Sequence, residues 1–206
     1  MSQAVVLPGR WQGPGTGLIR AYLAPESVVM WALLLALWAM VALDLVGQWI
    51  EPSEGAGVTT PIIPSLILAA ILPWAAGGQP VLLFLGLAGA TGAALIAARR
   101  AVGRHRPAIG FLAGWLTALT SAALAVTVAT LTPLGMAASA ALAILPAAAV
   151  GAAAQAWIGP AIGYSAALIW AFCAMAVSTM GSDPLTAISA TLGIAAMTVV
   201  LVRAAS

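Results

Sequence analysis

Lysine is absent from this chain, and histidine and cysteine occur once each, as His105 and Cys173. No lysine means no Schiff-base chromophore or cofactor. One cysteine excludes a disulfide framework, and one cysteine with one histidine cannot complete a zinc site or a bis-ligated haem. Cys173 lies in an apolar run and reads as a small buried hydrophobe. Charge is just as scarce. Seven arginines and five carboxylates make up 6% of the 206 residues, where a soluble domain of this length carries about 50 charges. The motifs of soluble catalysis are also missing: no G-x-S-x-G elbow, no P-loop and no G-x-G-D carboxylate pair. The chain is therefore expected to be no enzyme, with no cofactor and no metal. A net charge of +2, with its arginines at predicted membrane edges, also excludes nucleic acid as a partner.

What the chain has is apolar surface. Hydrophobic residues form 63% of it and the mean hydropathy is +1.11, more than one domain of this length could hide from water. The fold class is an all-α, polytopic transmembrane helix bundle. Residues 1–25, rich in Gly and Pro and carrying Arg10, Trp11 and Arg20, are read as a cytoplasmic or interfacial leader, with Leu18, Ile19, Tyr22 and Leu23 at the spacing of a short surface helix. Residues 26–206 form a single membrane domain. The first apolar run, near Val28 to Ile50, is too long for a signal-peptide core. Further spans run from Val81 to Ala98, Ala108 to Leu131, Met136 to Gln155 (interrupted by Pro146), Gly159 to Met180, and Leu185 to Val202. Residues 58–76 contain Pro61, Pro64 and Pro73, which predicts a kinked, broken or re-entrant segment.

The count is thus six or seven crossings, and charge selects between them. With six crossings and a cytoplasmic N-terminus, Arg10, Arg20, the arginine loop and Arg203 lie inside, while Glu51, Glu54 and Asp183 lie outside. That satisfies the positive-inside bias throughout. With seven, either the N-terminal arginines or the arginine loop must be translocated. Six is the preferred arrangement, in a bacterial inner membrane; the use of arginine without lysine points to a GC-rich genome.

Four features carry the functional expectations. Asp44 sits inside the first apolar run, where a carboxylate costs about 2.5–3.5 kcal/mol at the helix centre. It is either a proton or cation site facing the bundle or an interfacial residue with an amide partner such as Gln48. Thr117, Thr120 and Ser121, with Thr127 and Thr130, form a hydroxyl stripe at helical spacing, either lining a transport pathway or bonding to the preceding turn and to neighbouring helices. Gly110 with Gly114 and Gly159 with Gly163 are GxxxG pairs, and Gly86, Gly89 and Gly92 make a small-residue track; both predict close helix packing or a homo-oligomer. Finally, Arg99, Arg100, Arg104 and Arg106 crowd one loop, as a topology signal or as a docking surface for an acidic cytoplasmic partner or lipid headgroups.

Within that loop, Arg99 followed after six residues by Arg106-Pro107 resembles the first motif of the type 2 phosphatidic acid phosphatase family, with arginine for its usual lysine. That resemblance implies phosphate capture. The family's Pro-Ser-Gly-His segment and later nucleophilic histidine have no counterpart here, so its two-histidine chemistry is excluded. The layout is also loosely similar to small ATP-binding-cassette export permeases. Two functions fit: a permease or membrane subunit moving a small or apolar solute, or a non-catalytic structural or assembly subunit of a larger respiratory or photosynthetic membrane complex.

Overall fold

The structure is a computed structural model that describes residues 22, 28–50, 56–75, 79–104, 106–159 and 162–205. Among these residues all regular structure is helical, in seven helices: α1 (Val28–Ile50), α2 (Ala56–Ala75), α3 (Pro80–Arg100), α4 (Pro107–Leu131), α5 (Met136–Ile158), α6 (Ile162–Thr179) and α7 (Pro184–Ala205). Five of them, α3 to α7, are long and apolar enough to cross a membrane, and α1 and α2 contain shorter apolar stretches over Val28–Asp44 and Thr60–Leu72. Of the leader, only Tyr22 is described, and it is buried; the surface helix expected there lies outside the described residues.

Helix boundaries follow from local chemistry. Pro80, Pro107 and Pro184 each open a helix, where the missing N–H is not needed. Asp183 caps α7: its Oδ1 accepts from the Thr186 backbone N–H at 3.2 Å, and Oδ2 accepts from the Thr186 hydroxyl. The turn after α3 passes through Gly103 at φ +79°, and α5 ends on Gly159 at φ +97°. Both are left-handed positions that a side chain would resist. Pro146 leaves α5 continuous, and the three prolines of α2 leave it continuous too. At 20 residues, α2 is about 30 Å long. Of the kinked, broken or re-entrant forms expected over 58–76, the break is not seen: the described residues of that segment form one helix. Its Ile63, Ile67 and Ile71 are exposed in a single stripe, while Ile62 and Ser65 are buried.

The helices pack around α4, whose apolar stretch is 89% buried inside the protein. Helices α4, α5, α7 and α6 form a ring in that order, with α5 and α6 barely touching across it; α3 lies on the other side of α4, α2 lies on α3, and α1 rests lightly against α4 and α6. Small side chains set these spacings. A Cβ on Gly163 would lie 2.6 Å from the Pro107 carbonyl oxygen, one on Gly110 3.2 Å from the Tyr164 nitrogen, and one on Gly114 in collision with the Tyr164 carbonyl. The starts of α4 and α6 therefore meet backbone to backbone, and the two helices run parallel. Farther along the ring, Gly151 leaves room for Leu168 and Met197, and Gly193 for the Phe172 ring. The outer surface is apolar, with Leu35, Trp38, Leu85, Leu142, Val150, Ile188, Leu192 and Val199 exposed. Such a surface is in contact with a bilayer.

Candidate functional site

Most of the described charged side chains gather at the end of the bundle where α3 and α5 finish and α4 and α6 begin. Arg106 immediately precedes Pro107 and sits at the mouth of α4, and Asp44 is in the C-terminal third of α1. The Arg106 Nε donates to Asp44 Oδ1 at 2.9 Å and Nη2 donates to Oδ2 at 2.6 Å, with side-chain exposures of 11% and 12%. A forked, nearly buried pair of this kind is the strongest polar contact a bundle edge can form, and it cancels the charge that lipid would penalise. It also bears on topology. The six-crossing arrangement puts Asp44 and the arginine loop at opposite membrane faces, whereas the ion pair joins them at one end. One partner of Asp44 is an arginine 62 residues away; the Gln48 side chain, the amide expected beside it, lies outside the described residues.

Arg99 is engaged as well. It donates to the Trp157 carbonyl at the end of α5, and its guanidinium lies 4.7 Å from the centroid of the Trp157 ring. A cation at a helix C-terminus satisfies an orphan carbonyl and complements the negative end of the dipole. Arg100 and Arg104 are exposed and make further interactions within the protein. The arginine loop is thereby stitched to both sides of the bundle, to α1 through Arg106 and to α5 through Arg99.

Next to this belt lies a buried polar pair. Ser165 on α6 donates to Gln155 Oε1 on α5 at 2.7 Å, and the Gln155 amide donates to the Gly159 carbonyl at 2.6 Å. This pair ties together the two helices that otherwise barely touch. The Tyr164 hydroxyl shares a 3.2 Å hydrogen bond with Thr117. Gly159, expected in a packing pair with Gly163, instead forms the turn and supplies the carbonyl that holds Gln155.

The hydroxyl stripe of α4 is distributed among several helices. Thr117 donates to the Ala113 carbonyl at 2.8 Å and Ser121 to Ala118 at 2.7 Å. Thr120 shares a 2.7 Å hydrogen bond with Thr91 of α3. Thr127 donates to the carbonyls of Ala123 and Pro80 at 2.8 and 3.1 Å, and Thr130 to Val126 at 2.7 Å. Each hydroxyl closes a bond one turn back or bridges to a neighbour. Among the described residues two buried donors have no hydrogen-bond partner, the Ser65 hydroxyl and the Trp115 indole N–H, and no three His, Cys, Asp or Glu side chains gather to hold a metal.

No protein-family model, curated protein or solved structure matches this chain. Its function must be argued from its own chemistry.

Proposed function

We propose that the chain is a non-catalytic subunit of a larger complex in the bacterial inner membrane, acting as a packing scaffold. The observation that carries this reading is the fate of the α4 hydroxyls. The most polar face of the most central helix is tied to its own backbone and to α3 and α6, so it does not supply a row of open polar groups for a solute. What the molecule offers outward is a broad apolar surface built on helices held together by small residues. In this reading the arginine-loop end is cytoplasmic by the positive-inside bias. Seven crossings are proposed, because the Asp44–Arg106 pair and the continuous α2 both support an odd count; the start of α1 then faces away from the cytoplasm.

The test is purification in mild detergent followed by native electrophoresis. The chain is expected to migrate with other membrane proteins at fixed stoichiometry. Isolation as a lone monomer or homo-oligomer would overturn the scaffold reading. The second reading, a permease for a small or apolar solute, is favoured by the charged pair Asp44–Arg106 and the buried Gln155–Ser165 pair lying toward the same end of the bundle. Under it, reconstituted vesicles should show solute flux that Asp44→Asn impairs.

A further inference from the structure

We propose that the ends of α3 and α5 form a seat for an anionic phospholipid, with Arg99 and Arg100 meeting the headgroup phosphate and Trp157 beside the glycerol region. Arg99 and Arg100 are exposed in the last turn of α3, and Trp157 is 46% exposed in the last turn of α5. The contact between Arg99 and the Trp157 ring and carbonyl fixes the guanidinium at this boundary, so a headgroup meets a positioned charge. The same contact neutralises the negative end of α5, which would otherwise repel an anion.

The chemistry changes sharply one turn deeper. Ile96, 43% exposed, precedes Arg100 by four residues on α3, and exposed Ala153 precedes Trp157 by four on α5. Positive charge therefore stands directly above an apolar strip facing outward. A soluble anion uses the first feature and not the second, whereas a phospholipid uses both: the phosphate takes the guanidinium groups, the indole sits at headgroup level and the acyl chains lie along the strip. Arg104, exposed in the adjoining turn, adds to the same field. The carboxylate described at this end, Asp44, is bonded to Arg106. Each arginine near an anionic headgroup is worth roughly fivefold in binding.

The experiment is native mass spectrometry of the full chain released from mixed micelles containing equal phosphatidylglycerol and phosphatidylcholine. The wild-type protein should retain phosphatidylglycerol at least about fivefold over phosphatidylcholine. The preference should be lost in Arg99→Gln/Arg100→Gln and be maintained in Arg203→Gln, whose charge lies at the end of α7. Arg100→Gln alone leaves the Arg99–Trp157 contact intact and should lower the preference several-fold; because Arg100 also makes interactions within the protein, thermal unfolding of the variant is measured beside it to show that it is folded. Equal retention of the two lipids overturns the proposal. So does an equal loss in Arg203→Gln, which would mean diffuse charge attraction. Displacement of the bound lipid by excess inorganic phosphate would mean a simple anion site and would also overturn it.

Discussion

At the scale of single residues, the Asp44–Arg106 pair dominates. Removing one partner of a nearly buried ion pair leaves the other charged against lipid, and such losses run to about 3 kcal/mol, the low end of the usual range because each side chain keeps some exposure. Asp44→Asn and Arg106→Gln should each lower the unfolding midpoint in detergent, and the double variant should cost far less than the sum of the singles. Additive losses in that double-mutant cycle would mean the two side chains do not act together. Neither the pairing nor the Gln155–Ser165 bond was legible in the sequence. Asp44 stood out as a carboxylate in an apolar run, but its partner is distant in sequence and is brought near only by the placement of α1 against the start of α4. Gln155 did carry a signal, as an amide in an alanine-rich helix, since lipid-depth amides seldom go unpaired.

At the scale of helices, close approach is set by the absence of side chains. Gly114→Ala would drive a methyl into the Tyr164 carbonyl, a backbone atom that cannot step aside. Separating α4 from α6 in this way should cost about 1–3 kcal/mol. Gly89→Ala meets nothing within 4 Å, so the gain in helix propensity should leave stability unchanged or raise it by up to about 1 kcal/mol. Thermal unfolding of the two variants side by side checks the contrast; equal behaviour would remove the α4–α6 contact as the cause. The seven helices were largely legible, because long apolar runs bounded by Pro, Gly and Asp leave little freedom in where a membrane helix starts and stops. The prolines of residues 58–76 do not break the helix. Pro61 lies in the second turn of α2 and Pro73 in its last, so each interrupts the hydrogen-bond ladder near an end of the helix rather than at its middle. Packing along α3, with Leu72 over Gly86, carries the helix through Pro64.

At the scale of the whole molecule, orientation is the property on which loop charges and the Asp44–Arg106 pair point to different answers. A bias rule sums loop charges, and it cannot register that a carboxylate and an arginine neutralise each other across the bundle. Single cysteines placed in a Cys173→Ser background separate the topologies. With seven crossings, Gly103→Cys and Ser53→Cys should react with an impermeant maleimide only after cells are opened, while Ser182→Cys should react in intact cells. Reaction of Ser53→Cys and Gly103→Cys from opposite sides would restore six crossings and require α1 to be placed differently.

The central position of α4 has a consequence for how the chain is made. Tyr164, which fills the space beside Thr117 and Gly114, is synthesised 47 residues after Thr117. The core helix must therefore enter the bilayer with its glycine face bare and wait for α5 to cross back before α6 can close over it. Its long apolar span lets it wait in lipid. Chains cut short before α6 would carry their central helix packed on α3 and α5 but uncovered on its glycine face, and membrane quality-control proteases would meet that face first.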